Sequence, residues 1–385
     1  MNVPKLRFKE FTDEWQKKTL KSVSSYFKSG KSIKSNDILK NAPYPVYGGN
    51  GLRGYTNTFN FDGNASLIGR QGALCGNVTY VKGKNYMTEH AVIVQSNYDN
   101  YNKFLFYILL SMNLNQYSTQ SAQPGLSVNN LLELFNYFPN IQEQEKIAKF
   151  LTTVDKKITN LENTITSLEN QKKGLLQQIF SQKLRFKDKN GNNYPNWEKK
   201  KLGDTLLIQR GGSPRPISDY ITNDKNGLNW IKIGDCSPNS NIITSTKEKI
   251  KPEGLSKTRE VFIGDLILSN SMSFGRPYIL NINGCIHDGW LLLRNTKKIY
   301  NLQFLCYILG SEYTTKQYKK LASGSTVNNL NIELVSSVDI TIPCLEEQTK
   351  IADFLSAFDR KLDNQKAQLE HWQQIKKGLL QQMFV

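Results

Sequence analysis

The strongest constraint on this chain is that it carries the same sequence signal twice. Lys172–Phe180 reads KKGLLQQIF and Lys376–Phe384 reads KKGLLQQMF, an offset of 204 (376 − 172). At that offset Ile147-Ala148 meets Ile351-Ala352, Phe150-Leu151 meets Phe354-Leu355, and Asp155 meets Asp359. Upstream, GLSVNN (Gly125–Asn130) matches GSTVNN (Gly324–Asn329), and FLFYIL (Phe104–Leu109) matches FLCYIL (Phe304–Leu309). Leu6–Lys9 and Leu184–Lys187 both read LRFK, followed by Trp15 and Trp197. Between these anchors the halves diverge. One runs GGNGLRGYTNTFNFDGNASLIGRQG from Gly48; the other runs WIKIGDCSPNSNIITSTKEKIKPEGL from Trp230. A fold built by duplication, with alike flanks and unlike middles, follows. The 385 residues are enough for two units that each bury a core.

The flanks read as long helices. From Glu143 to Phe180 apolar residues recur at Ile147, Leu151, Val154, Ile158, Leu161, Ile165, Leu168, Leu175 and Ile179, in steps of four and three. The second copy repeats this with Ile351, Leu355, Phe358, Leu362, Leu369, Trp372, Leu379 and Met383. This is a heptad seam. Lys172 and Lys376 fall on it in both copies, and Gln365 breaks it once; polar seam residues set register and orientation. Pro139 and Pro343 punctuate the helix entries. Each helix, at about 36 residues, would be roughly 54 Å long, more than a globular core needs. Helix two must bury its own seam, and helix one is the available partner. The expected object has pseudo-two-fold symmetry: two globules held apart by an antiparallel coiled coil, with the chain ends close together.

The middles read as short strands and turns. VTYV (Val78–Val81), HAVIV (His90–Val94), DLILS (Asp265–Ser269) and WLLLR (Trp290–Arg294) have strand character, whereas FLFYIL and FLCYIL look helical. The fold class is therefore mixed α/β (α+β). The expected division is a globule over 1–142, a helix over 143–180, a second globule over 181–346 and a second helix over 347–385.

Fifty Lys and Arg against 33 Asp and Glu give a net charge of +17. Like charges repel in a compact state, so such an imbalance points to a polyanionic partner, nucleic acid above all. Five scattered cysteines without Cys-x-x-Cys spacing indicate reduced thiols in a cytoplasm, not a disulfide frame or zinc site. Three distant histidines give no metal site, and no apolar run reaches membrane-span length. Catalytic motifs are missing. NAPY (Asn41–Tyr44) departs from the Asn/Asp-Pro-Pro-Tyr motif of amino-methylating enzymes at Ala42 and has no glycine-rich cofactor loop beside it. GKS (Gly30–Ser32) lacks the upstream P-loop glycine, which is Ser25 here.

The helix entries IQEQEKIAKFL (Ile141–Leu151) and LEEQTKIADFL (Leu345–Leu355), with the paired KKGLLQQ exits, resemble the specificity subunit of Type I restriction–modification enzymes. The resemblance covers essentially the whole chain. It implies two target recognition domains, each reading one half of a bipartite DNA site. It also implies two adenine-methylating subunits that bring S-adenosylmethionine, and restriction subunits that bring ATP- and Mg²⁺-dependent cleavage. The chain itself would be non-catalytic and cofactor-free. For DNA contact the first globule offers Tyr47, Asn50, Arg53, Arg70, Gln71, Lys82 and Lys84. The second offers Arg210, Arg215, Lys232, Asp235, Ser269, Asn270, Arg276 and His287. Arg can fork onto guanine, Asn or Gln onto adenine, and Asp can accept from cytosine, while Lys and Arg hold phosphates. At the helix exits, Leu175, Leu176, Phe180, Leu379, Leu380 and Phe384 supply more apolar surface than one seam needs, which suggests either a docking surface for the methylating subunits or packing on the chain's own globules. Two other functions stay open on the residues alone: a self-contained methyltransferase or nuclease with a duplicated DNA-binding region, and a coiled-coil scaffold with incidental charge.

Overall fold

The computed structural model describes residues 2–72, 74–118, 125–237, 240–270, 275–322 and 329–385. Five residues of the GSTVNN motif, 324–328, lie outside them. The chain divides into two compact units, Met1–Glu162 with Ala367–Val385, and Asn163–Lys366.

The first unit starts with β1 (Gln16–Thr19), a helical turn α1 (Leu20–Val23), and the strands β2 (Ser24–Ser29), β3 (Tyr44–Gly48), β4 (Gly51–Thr56) and β5 (Phe61–Asp62). It continues with β6 (Ala65–Gly69), β7 (Val78–Val81), β8 (Lys84–Met87) and β9 (Ala91–Ser96). Then come α2 (Asn102–Ser111), α3 (Val128–Glu133), β10 (Phe135–Phe138) and the long helix α4 (Ile141–Phe180). Two four-stranded sheets form, in the orders β2-β9-β6-β7 and β4-β3-β8-β5. All of β6 is buried because it is covered on both faces. Leu67 and Ile93 meet Ala65, Val81 and Met87 in one core, while Ile68, Val92 and Val94 face the core built on α2.

The second unit repeats this plan with β11 (Glu198–Lys201), α5 (Leu202–Thr205), β12 (Leu207–Arg210), β13 (Ile221–Thr222), β14 (Leu228–Ile231), β15 (Ile242–Ile243) and β16 (Glu248–Ile250). There follow β17 (Arg259–Val261), β18 (Leu266–Ser269), β19 (Pro277–Leu280), β20 (Gly284–Ile286) and β21 (Trp290–Arg294). The unit continues with α6 (Leu302–Leu309), α7 (Glu312–Ala322), α8 (Ile332–Ser336), β22 (Asp339–Ile342) and the second long helix α9 (Leu345–Gln382). Its sheets run β12-β21-β18-β19-β15 and β13-β16-β14-β20-β17. Without the edge strands β15 and β13, both orders are those of the first unit. Even the parallel pair recurs, as β3 with β8 and β14 with β20. The middles that share no sequence pattern therefore share a topology. The four strand segments and two helical segments expected from sequence are β7, β9, β18, β21, α2 and α6.

Each long helix is fixed at its first turn by a buried Glu-Gln pair. Glu143 and Glu347 are both fully buried. Arg7 forks onto Glu143 at 2.7 and 2.8 Å, and Arg185 forks onto Glu347 at 2.8 Å twice. These arginines belong to the two LRFK segments, so the start of each globule is bolted to the helix that leaves it. The adjacent glutamines reach the globule helices. Gln144 accepts from Tyr101 N at 2.9 Å and Gln348 accepts from Asn301 N at 2.9 Å, and each donates to the preceding proline carbonyl at 3.0 Å.

In both units the α4 and α9 segments lie antiparallel. Lys376 meets Asp155 at 2.7 Å in the first unit. Lys172 meets Asp359, and Lys366 meets Glu169 at 2.8 Å, in the second. Seam residues Ile147, Leu151, Val154, Leu161, Ile165, Leu168, Ile179, Ile351, Leu355, Leu362 and Met383 are buried; Ile158, Phe358, Leu369, Trp372 and Leu379 are half-buried. The chain ends meet inside the first unit, where Leu6 N donates to Gln382 O at 2.8 Å. The matching bond in the second unit, Leu184 N to Gln178 O at 3.0 Å, is made across a short covalent link. The open ends thus reproduce the internal joint.

Breaking the fork should leave a buried carboxylate without its counter-charge. Arg185→Ala should therefore destabilise the protein by about 3–5 kcal/mol, read as a lowered urea midpoint. Adding Glu347→Leu should recover part of the loss, because the orphaned charge is removed. Simple additivity of the two losses would contradict this account.

Candidate nucleic-acid interface

The residues expected to touch DNA separate into groups once the strands are in place. In the first unit, Asn50 stands exposed in the β3–β4 hairpin. Gly48 leaves room for the stem of Arg53, since a Cβ there would lie 2.7 Å from Arg53 Cδ. A Cβ on Gly49 would lie 3.1 Å from His90 O and 3.3 Å from Gln71 O. The hairpin is thereby pressed against the end of β6 and the turn before β9, which brings Asn50, Arg53, Arg70 and Gln71 together. Tyr47 is half-buried beside them, and burial raises its phenol pKa. Arg70 also has a framework role: its Nε donates to Leu126 O at 3.2 Å. Lys82 and Lys84 lie at the opposite end of β8, with Lys84 Nζ 4.8 Å over the Phe59 ring.

In the second unit, Arg210, Arg215 and His287 converge on the turn between β20 and β21. Arg210 Nε donates to Asp288 O at 3.4 Å, Arg215 lies 3.6 Å from the Asp288 carboxylate, and Ser213 donates to that carboxylate at 2.9 Å. Sequence reading missed Arg259, whose Nε donates to Arg210 O at 3.4 Å. Burial lowers the His287 pKa, and its Nδ1 accepts from Gly289 N at 2.7 Å. The other five expected contacts are engaged within the fold. Ser269 and Asn270 are buried; Ser269 accepts from Arg276 N, and Asn270 donates to Asp288 O at 2.9 Å, so both are framework. Asp235 has its two oxygens on the backbone N–H groups of Lys232 and Lys247, so it also orders that turn. Lys232 is paired with Glu248. Arg276 stacks on Tyr278 at 5.0 Å and lines a cleft beside the long helices.

That cleft, about 1270 Å³, is bounded by Leu176, Phe180, Tyr307, Ser311 and Asp359 among others. A smaller hollow of about 470 Å³ in the first unit has Leu380, Phe384 and Ser111 at the matching positions. Of the two readings of the helix exits, packing on the chain's own globules is the one seen for the phenylalanines. Phe180 and Phe384 are only 8% and 7% exposed and belong to the cores of their own units, against Phe304 and against Trp15 and Phe104. Leu176, Leu379 and Leu380 are half-buried on the same cores, and Leu175 is half-buried. Most of the apolar surplus is consumed by the globules, because the exit of each helix seals the core of the unit in which it ends.

Both seam lysines join three-part clusters. Tyr107 donates to Asp155 and Tyr307 to Asp359, each at 2.6 Å. Burial, then the bond to the carboxylate, drives both phenol pKa values up. The first unit adds Lys103, whose Nζ lies 3.9 Å from the Tyr80 ring centre and 4.1 Å from that of Phe106. Burial lowers its pKa to about 8, Asp155 opposing this and Lys82 and Lys376 adding to it. The matching residue in the second unit is Gln303. Among the described residues no group of three His, Cys, Asp or Glu could hold a metal ion, and no helix is long and apolar enough to cross a membrane.

The family model for the Type I restriction modification DNA specificity domain matches residues 12–170 and again 194–371. The chain belongs to this family. A 154-residue stretch is 44% identical to the Type I restriction enzyme EcoprrI specificity subunit of Escherichia coli, covering 39% of this chain and 38% of that protein. The MjaVIII specificity subunit of Methanocaldococcus jannaschii is 25% identical over 63% of this chain and 59% of its own length. The chain thus spans less than two thirds of these two relatives. A Type I restriction-modification S subunit from M. genitalium has the same fold, with a TM-score of 0.68 at 18% identity, covering 100% of this chain and 99% of that one.

Lys103 should leave a pH signature. In the unfolded chain it keeps its proton up to about the ordinary 10.5, whereas in the fold it releases it near 8. Between these values the unfolded state binds more protons, so this group's contribution to stability rises with pH; below about 8 it is constant. Melting temperatures of the wild type minus those of Lys103→Gln should therefore climb from pH 8 toward 10.5. A flat difference would refute the buried charge.

Proposed function

We propose that this chain is the sequence-specific DNA-binding subunit of a Type I restriction–modification complex, with no catalytic centre of its own. The carrying observation is the pair of globules with one topology and different surface chemistry, each mounted on a matched helix. The globules, about 1–142 and 181–346, read the two halves of a bipartite site. The basic groups at the hairpin and turn ends of the sheets face the duplex, and the net charge of +17 supports this. Two methyltransferase subunits supply S-adenosylmethionine, and restriction subunits supply ATP- and Mg²⁺-dependent cleavage. The matched hollows beside Leu176 and Leu380 suit two copies of one partner. The complex works in the cytoplasm.

Purified alone with S-adenosylmethionine, ATP, Mg²⁺ and DNA, the chain should neither methylate nor cut. With the methyltransferase it should methylate a bipartite motif. Replacing residues 2–141 with the equivalent segment of a relative should change one half of that motif only. Turnover by the chain alone, or a change in both halves, would overturn the reading.

The long helices set the spacer in this proposal. One heptad inserted after Leu161 and another after Gln365 preserve the seam and add about 10 Å of helix. At about 3.4 Å per base pair the preferred spacer should lengthen by roughly three base pairs. Because the second half-site also rotates by about a third of a turn, affinity should fall even at the best spacer. A library of fixed half-sites with every spacer length measures this; a folded variant that kept the parental spacer would exclude the helices as the ruler.

A further inference from the structure

We propose that the acid at the centre of one matched turn in each globule, Glu89 in the first and Asp288 in the second, selects one base in its half-site by accepting a hydrogen bond from an exocyclic amino group. The inference rests on the DNA-specificity reading above. Thr88-Glu89-His90 joins β8 to β9, and His287-Asp288-Gly289 joins β20 to β21. The two turns share no residue at matched positions, yet the fold holds them by the same bonds. Gly30 N donates to Ala91 O at 3.0 Å and Gly211 N to Trp290 O at 2.9 Å, which tie down the loop leaving β2 or β12. Arg70 N donates to His90 O at 2.9 Å and Asn270 N to Gly289 O at 3.1 Å, which tie down the end of β6 or β18. The approach is so close that a Cβ on Gly30 would lie 2.1 Å from Met87 O, and one on Gly211 2.0 Å from His287 O. Both loops therefore require glycine, and both turns are rigidly presented.

The chemistry of the acid follows from its surroundings. Arg53 and Arg70 flank the first turn; Arg210 and Arg215 flank the second. Such a basic rim faces phosphate, and a carboxylate within it is repelled by phosphate. A carboxylate can only accept hydrogen bonds. On the edges of paired bases the donors are the amino groups of cytosine and adenine in the major groove and of guanine in the minor groove. The Glu89 side chain is 43% exposed, with Oε1 3.4 Å from His90 Nε2. Its Oε2 is buried without a hydrogen-bond partner among the described residues, so Oε1 is the oxygen that accepts from the base in this proposal. The Asp288 side chain is 45% exposed. Ser213 occupies its Oδ1, and Arg215 stands 3.6 Å from Oδ2, which leaves that oxygen with acceptor capacity.

The test uses the full chain assembled with its methyltransferase partner, and duplex libraries randomised one half-site position at a time. Glu89→Gln and Glu89→Ala should relax the preference at one position of one half-site by about tenfold or more, and leave the other half unchanged. Asp288→Asn and Asp288→Ala should do the same in the other half. Arg215→Ala should weaken methylation without altering the base preferred at the Asp288 position. Variants that melt like the wild type yet lose methylation evenly over all sequences would show that the acids only order the turn, and would overturn the proposal. Unchanged preferences would also overturn it, as would Arg215→Ala producing the Asp288→Asn pattern. If the wild type preferred no bipartite sequence, the specificity-subunit reading itself would fall and this inference with it; a wild-type preference untouched in the variants removes this inference alone.

Discussion

The carboxylate buried at the first turn of each long helix is the constraint on which the rest of the structure depends. A fully buried glutamate is tolerable only if a counter-charge reaches it with good geometry. Arg7 and Arg185 do so as two-pronged forks, and they come from the start of each globule. The requirement pulls the start of a globule onto the helix that ends it. The neighbouring glutamine then ties the same turn to the globule helix, and the first and last strands of the globule pair with one another. One copy is better satisfied than the other. Trp197 Nε1 donates to Glu347 at 3.1 Å, whereas Trp15 Nε1 has no partner among the described residues.

A second layer of polar fixing lies about three turns further along each helix. Asp155 and Asp359 each collect a tyrosine from the globule and a lysine from the antiparallel helix. An apolar seam alone fixes that helices pair, and less firmly in which register. A half-buried charge that must find its partner sets register and orientation. The seam lysines visible in the sequence have this role. The bond from Leu6 N to Gln382 O in the first unit repeats the bond from Leu184 N to Gln178 O in the second.

At the candidate interface, legibility fell with distance from a repeating pattern. The exposure of Arg210, Arg215 and the hairpin residues Asn50 and Arg53 was readable because basic and amide side chains in glycine-rich loops are exposed by default. Ser269, Asn270 and Asp235 have the same chemistry, but their polar atoms are occupied inside the fold by Arg276 N, Asp288 O and backbone amides. Whether a polar group is free depends on which strand end lies next to it, and that is a tertiary fact. The equivalence of Glu89 and Asp288 was illegible for the same reason: their turns match in hydrogen bonds and not in residue type.

The sequence by itself determined the duplication, the two long helices, their antiparallel pairing and the mixed globules. These depend on periodic apolar positions and repeated motifs, which act locally and can be counted along the chain. It also determined the basic balance that implies a polyanion. Only the tertiary structure decided that the unlike middles share one topology, because backbone pairing constrains which side chains are buried and leaves their identities free. It decided too that Phe180 and Phe384 seal cores instead of forming an open surface. An apolar side chain is equally satisfied by its own globule or by a partner, and proximity chooses between them.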